Sequence, residues 1–378
     1  MRIAVDADSL TRFETRGIGR VTIATYRALA ALRPSWEFLF FHQVGTLDGT
    51  FAGLANIKPI RIDIKGDRWR ETINPWQQIR LPLALARAGA DLLHSPAGPS
   101  PRYTLTPKVA TIHDLTPMDF TPDRPDVVRW FRSIRRSGHS ARRVVTASEY
   151  IKADLVRRLH IPASKVDVVG WASTPEYKPL TTPGQPQATL AALGLPTDRP
   201  YLQHFGSLNP NKNTLRILDA WKAQPAALRE RFLLVVSGVE EKSLAALRAR
   251  VEELGLSASV RVLGSVPDDH RAVLVAGAAV MLYPSLAEGF GLPLVDAFQA
   301  GTPVITSTAT CLPEIAGDAA LIVDGRSTEA IARGITTMLE DEAKRRAFVT
   351  AGQERVQMYT WTRTAEAYAR IFEAVARD

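Results

Sequence analysis

The sequence predicts an α/β protein made of two doubly wound domains facing each other across a cleft. Three observations predict it. Short apolar strand patterns alternate with helical patterns from end to end, as in parallel sheets covered by helices on both faces. A stretch rich in proline and threonine, residues 173–200, interrupts the alternation, which then restarts. At 378 residues the chain is long for one core and comfortable for two.

The elements follow in order. "RIAVDA" reads as a strand and "GRVTIATYRALAAL" as the helix after it. "EFLFFH", "DLLHSP", "KVATIHD", "RRVVTAS" and "VDVVGWA" read as further strands, with the helical "WQQIRLPLALARAG" among them. Residues 173–200 read as a linker and entry loop. Beyond it, "YLQHFGS", "FLLVVSG", "VRVLGSV", "VMLYPS", "TPVITS" and "ALIVD" are strands. "NTLRILDAWKAQ", "EKSLAALRARVEELG" and "DDHRAVLVAGA" are the helices between them, and the pattern is helical from about Ser327 on. The expected division is an N-terminal domain over 1–178, completed by a terminal helix over 361–378, and a C-terminal domain over 179–360.

Hydrophobic content of 46% and charge of 23% are those of an ordinary globular protein. Cys311 is the single cysteine, so no internal disulfide can form. The N-terminus reads as a strand rather than a signal peptide, and no run of about 18 apolar residues suggests a transmembrane helix. The expected location is the cytoplasm, or the inner face of the plasma membrane as a peripheral protein. A net charge of +8 points to an anionic partner. No recognition motif accompanies it, so nucleic acid is not expected. The charge concentrates in "RPDVVRWFRSIRRSGHSARRVV", from Arg124 to Arg143. This segment is either a basic amphipathic helix on an anionic membrane or a solvated helix whose apolar side faces its own core. In the first case Trp69 and Trp76, with Arg68, Arg70 and Arg80, would add to the same face.

Ligands of open parallel sheets bind beyond the carboxyl ends of the strands. After "VMLYPS" comes "LAEGFGLPLVDAF". Pro293 suits a first helical turn and Gly301 a helix end, which predicts a helix over 293–300 with Asp296 in its first turn. Gly289 and Gly291 would let a ligand approach the backbone. Amides of Phe290, Gly291 and Leu292 would face an anion, aided by the helix dipole. Glu288 could then accept from sugar hydroxyls and Asp296 from a ribose diol. The same letters also suit a plain glycine-rich turn, with Asp296 there only to complement the dipole. Lys212, after "YLQHFGS", reads as a point charge for a diphosphate or as a surface lysine. Gly17, Ile18 and Gly19 precede a helix and would suit backbone approach or a simple turn. "GIGRVT" lacks the third glycine of a dinucleotide fingerprint. His113 and Asp114, after "KVATI", read as a substrate-facing pair, with His113 a donor to a hydroxyl or carbonyl, or as a local capping pair. No spacing of His, Cys and acids matches a metal motif, so no metal is expected. No G-x-S-x-G elbow or Walker A sequence occurs.

"EGFGLPLVDAFQAGTPVITS" followed by "LPEIAGDAALIVD" resembles the donor-binding segment of family-four retaining glycosyltransferases. "RGIGR", "DLLHSP", "TIHDLTP", "TASEYIKADLVRRL", "HFGSLNPNKN" and "YTWTRTAEAYARIF" resemble the same family, in order, over residues 16–372. The resemblance implies the GT-B architecture, two Rossmann-like domains with the active site between them. It places the family's pair of acids on Glu288, at the donor sugar, and Asp296, at the ribose. Phe290, Gly291 and Leu292 would give amides to sugar and diphosphate, with Gly289 among them. Lys212 would hold the diphosphate, His113 would face the donor sugar, and Gly17, Ile18 and Gly19 would line the cleft. Three departures stand out: aspartate replaces the usual second glutamate; Ser207 stands where many members carry an arginine, so one diphosphate cation is either missing or supplied from elsewhere, Arg20 being one candidate; and "GWAS", residues 170–173, replaces a frequent asparagine-glycine.

The resemblance implies sugar transfer from a nucleotide diphosphate donor, with retention, to a glycan or a polyprenyl-diphosphate-linked acceptor. "GIGR", "HDLTP" and "NPNKN" together look most like mannosyltransferases of polysaccharide assembly, which makes GDP-mannose the first donor to expect. UDP-sugars and dTDP-rhamnose stay open. So do a GT-B epimerase or phosphorylase and, in another class, a non-enzymatic two-domain sugar-binding protein.

Overall fold

The computed structural model describes residues 1–8, 10, 17–43, 46–47, 49–62, 76–182 and 184–377. The chain divides into two compact units, Met1–Trp171 with Thr360–Asp378, and Ala172–Tyr359. The division falls ahead of residue 178 for a local reason. The Ser173 hydroxyl donates to Asp296 Oδ1 at 2.7 Å, and Tyr177 is buried, so this part of the proline-rich stretch is tied to the second unit.

The strands of the first unit are β1 (Arg2–Asp6), β2 (Glu37–His42), β3 (Ile57–Arg61), β4 (Leu92–Ser95), β5 (Lys108–Thr111), β6 (Arg143–Thr146) and β7 (Val166–Val168). All pair in parallel, in the order β3-β2-β1-β4-β5-β6-β7. β3, "IKPIR", escapes the apolar strand pattern because it carries exposed Lys58 and Pro59. An edge strand tolerates both, and β3 lies at the sheet edge. One face of the sheet (Ile3, Val5, Phe38, Phe40) packs with Tyr26 of helix Gly17–Leu32 and Phe372 of helix Trp361–Arg377. The other face (Ala4, Leu39, Leu93) packs with Trp76, Leu81 and Leu85. A buried polar chain binds the terminal helix to this unit. Tyr26 shares a hydrogen bond with His94 Nδ1 (2.6 Å), His94 Nε2 with Thr111 (2.8 Å), and Thr111 with Tyr368 (3.0 Å).

The second unit holds β8 (Tyr201–Phe205), β9 (Leu233–Ser237), β10 (Val260–Val262), β11 (Val280–Tyr283), β12 (Val304–Ser307) and β13 (Leu321–Val323). They form a parallel sheet in the order β10-β9-β8-β11-β12-β13. Leu234, Val236, Leu282 and Ile305 pack with Trp221 and Ile335 from the covering helices. Residues 173–200 are not loop throughout. Gln185–Ala192 is a helix whose Leu190 joins Leu195, Tyr201, Leu233 and Val235 in a core cluster. Its flanking prolines and glycines masked a short helix that tertiary burial holds in place. Each sheet has one point where the strand order reverses: between β1 and β4, and between β8 and β11. Such switch points open the crevice where α/β sheets bind ligands.

Candidate functional site

In the second unit the loops after β8 and β11 meet at the switch point because their strands are neighbours. Asn213 adopts a left-handed conformation, φ 61°, between the short 3₁₀ turn Pro210–Lys212 and helix Thr214–Lys222. Its buried Nδ2 donates to the carbonyls of Pro284 (2.9 Å) and Gly325 (2.7 Å). The Leu286 amide donates to the Asn211 carbonyl at 2.7 Å. These ties bring Lys212 Nζ to 2.8 Å from Glu288 Oε1, with side chains 29% and 13% exposed. Lys212 also lies 5.6 Å from the centre of the Tyr283 ring. Burial, with Glu288 adding to it, holds the Tyr283 hydroxyl well above the usual tyrosine range. The Glu288 backbone is pinned at both ends: its amide donates to Thr310 Oγ1 (3.0 Å) and its carbonyl accepts from the Cys311 thiol (3.1 Å). Lys212 and Glu288, 76 positions apart, are therefore an ion pair.

Gly291 starts the next helix at φ 92°. A Cβ there would sit 2.9 Å from the Leu312 Cδ2 methyl, so the backbone demands glycine and any side chain would also push Leu312 aside. The helix is Leu292–Ala300, with Pro293 in its first turn and Gly301 at φ 74° ending it. The amides of Gly291 and Leu292 have no hydrogen-bond partner among the described residues. Phe290 is buried, with its ring edge-on to Tyr359 at 5.5 Å, and Gly289 is buried beside it. Asp296 corrects the expectation from sequence. The helix starts one residue early, no acid lies in its first turn, and Asp296 is 1% exposed and bound by Ser173. Ser207 turns inward on its own loop: its amide donates to Thr214 Oγ1 and its hydroxyl accepts from the Asn209 amide.

In the first unit Gly17, Ile18 and Gly19 form the first turn of helix Gly17–Leu32 rather than a loop before it. A side chain at Gly17 would meet nothing within 4 Å. His113 follows β5, and its Nε2 lies 2.7 Å from the Pro96 carbonyl. A carbonyl only accepts, so Nε2 carries the proton. Burial pushes the imidazole down to about 4, which keeps it neutral and leaves Nδ1 an acceptor. Nδ1 is buried without a hydrogen-bond partner among the described residues, and the ring lies 5.2 Å from that of Trp171. His113 therefore offers an acceptor, where the sequence suggested a donor. Asp114 caps its own loop by accepting from the Thr116 amide at 2.9 Å.

The basic segment forms helix Pro125–Ser140. Its apolar side faces the protein: Ile134 is in the core and Trp130 and Phe131 pack against it. Arg129, Arg132, Arg135 and Arg136 are exposed, with no ion-pair partner among the described residues. Trp76 is 1% exposed and bonds Asp6, so it adds nothing to an outer face. Arg68, Trp69 and Arg70 lie outside the described residues.

Two family models match consecutive parts of the chain. Glycosyltransferase Family 4 covers residues 15–170. Glycosyl transferases group 1 covers residues 187–355. The chain belongs to the family-four glycosyltransferases. It is 28% identical to the O-antigen chain mannosyltransferase B of Escherichia coli, over 94% of this chain and 97% of that protein. It is 27% identical to a phosphatidyl-myo-inositol mannosyltransferase of Mycobacterium leprae, over 75% of this chain and 73% of that one. Among solved structures, a sucrose-phosphate synthase from Thermosynechococcus elongatus matches 99% of this chain and 98% of its own, at TM-score 0.78 and 19% identity. The two Rossmann-like units are thus the GT-B fold, and the family-four enzyme is a hexosyltransferase.

Proposed function

We propose that this glycosyltransferase moves mannose from GDP-mannose, with retention, onto a glycan or polyprenyl-diphosphate-linked acceptor in cell-surface polysaccharide assembly. The carrying observation is the Lys212–Glu288 pair at the β8/β11 switch point, beside the unpartnered amides of Gly291 and Leu292. A cation, two amides and a helix N-terminus are what a departing diphosphate requires. The mannosyltransferases among the relatives support the choice of sugar.

In the free enzyme Glu288 neutralises Lys212. When the donor binds, Lys212 turns to the diphosphate and Glu288 accepts from sugar hydroxyls. The bond from the sugar C1 to the phosphate oxygen breaks. The acceptor oxygen bonds C1 from the same face and passes its proton to the departing phosphate, so configuration is kept. Lys212, the two amides and the helix dipole take up the charge that develops, and no metal is required. Asp296 acts as a positioning residue, holding the helix through Ser173. In the first unit, His113 Nδ1 offers an acceptor for a hydroxyl.

The exposed arginines of helix Pro125–Ser140 give the first unit a cationic face for an anionic membrane, where a lipid-linked acceptor would lie. The test of the donor assignment is nucleoside diphosphate release from GDP-mannose, UDP-glucose, UDP-galactose and dTDP-rhamnose, with and without chelator. The account expects GDP-mannose to turn over fastest and a chelator to change nothing. A faster donor would overturn the assignment, and loss of turnover on chelation would overturn the metal-free mechanism.

A further inference from the structure

The carboxyl edge of the first unit's sheet holds a second polar cluster, at the β1/β4 switch point. The parallel register pairs Val5 with His94, so Asp6 and Ser95 come next, side by side with side chains on one face. That face is covered by the π-helix Trp76–Arg80. Such turns occur often at functional sites. Trp76 Nε1 and Gln77 Nε2 each donate to Asp6 at 3.3 Å, long for bonds of this kind. Gln77 Nε2 also donates to the Pro99 carbonyl at 2.7 Å, and the next residue, Ser100, gives its amide to Ser137 Oγ at 2.8 Å. Ser95 is 1% exposed and Ser100 5%, and neither hydroxyl has a hydrogen-bond partner among the described residues. No cationic side chain bonds Asp6 among the described residues. Burial pushes the Asp6 carboxyl up to about 6, and the charge of Asp8 adds to the rise.

A carboxyl buried on two long side-chain bonds and the Asp8 amide, with no cation against it among the described residues and with orphaned Ser95 beside it, is a costly arrangement that packing alone does not require. Its chemistry narrows the ligand. Asp6 and Asp8 together repel an anion. No group of three metal-ligating side chains occurs among the described residues. A neutral polyol fits: the carboxylate accepts from a hydroxyl, and serine hydroxyls both donate and accept.

We propose that Asp6 and Ser95 form a subsite for neighbouring hydroxyl groups of the acceptor sugar. This rests on the glycosyl-transfer reading above, and the test separates the two. Full-length protein is titrated with methyl α-D-mannopyranoside as the acceptor probe and, separately, with GDP. Asp6→Asn and Ser95→Ala should each weaken glycoside binding about tenfold or more, the worth of a hydrogen bond to a charged or buried group, and leave GDP binding unchanged. Asp6→Asn should also raise the melting temperature at neutral pH, because it removes a buried charge. A purely structural role would lower melting temperature and binding together. Equal glycoside binding by wild type and both variants, or no binding by wild type, overturns the subsite. Absence of GDP binding contradicts the donor reading instead.

Discussion

Single residues set what each switch point can do. Gly291 stands where the backbone is left-handed and a Cβ would press on the Leu312 methyl. Gly291→Ala should cost about 1–3 kcal/mol in chemical unfolding and impair turnover, because it shifts the two amides at the helix start. Unchanged stability would show that the backbone there relaxes freely. Glycine and proline marked this helix in the sequence, so its position was legible. The fate of Asp296 was not, because its partner Ser173 lies 123 positions away. Asp296→Ala removes a buried hydrogen bond from the Ser173 hydroxyl to a carboxylate and should cost about 1–3 kcal/mol in the same measurement. The His113 tautomer was hidden too, since the Pro96 carbonyl that sets it belongs to the loop after another strand.

Elements were legible where their pattern was strong and local. The alternating strands and helices read off the sequence correspond to those of both sheets. β3 and helix Gln185–Ala192 did not show, because proline and charge blur a short apolar pattern that only neighbours complete. Helix Pro125–Ser140 was legible as amphipathic, but periodicity does not say whether the apolar side meets a core or a membrane. It meets the core, so any membrane attraction is electrostatic. The full chain should sediment with anionic vesicles at low salt and not with neutral ones. Replacing Arg129, Arg132, Arg135 and Arg136 by glutamine should abolish this, at about 1 kcal/mol per charge near the surface. Equal sedimentation with neutral vesicles would remove the membrane from the account.

At the scale of the whole molecule, buried imidazoles govern the response to acid. Burial pushes His94 down to about 3, and His113 and His204 down to about 4. The unfolded chain takes up these protons near pH 6.5. The stability held by the neutral rings is therefore complete above that pH and is lost as pH falls through 6.5 toward 4. Asp6 works the other way: its folded value is about 6 against 3.8, so its contribution is complete below 3.8 and lost as pH rises through 6. Near pH 5 the unfolded state thus binds three protons more at histidine and one fewer at Asp6. The net of two implies that stability falls by about 3 kcal/mol per pH unit of acidification there. Denaturant melts at successive pH values would show this slope. A flat profile between pH 6 and 4.5 would contradict it.

In the proposed reaction Lys212 and the Gly291 helix start hold the diphosphate of the donor. Its most direct measurement is the thermal shift of wild type and Lys212→Ala against GDP, UDP, dTDP and ADP. The largest rise is expected with GDP in wild type, and its loss in the variant. No rise with any nucleotide, or the same rise in Lys212→Ala, would contradict it.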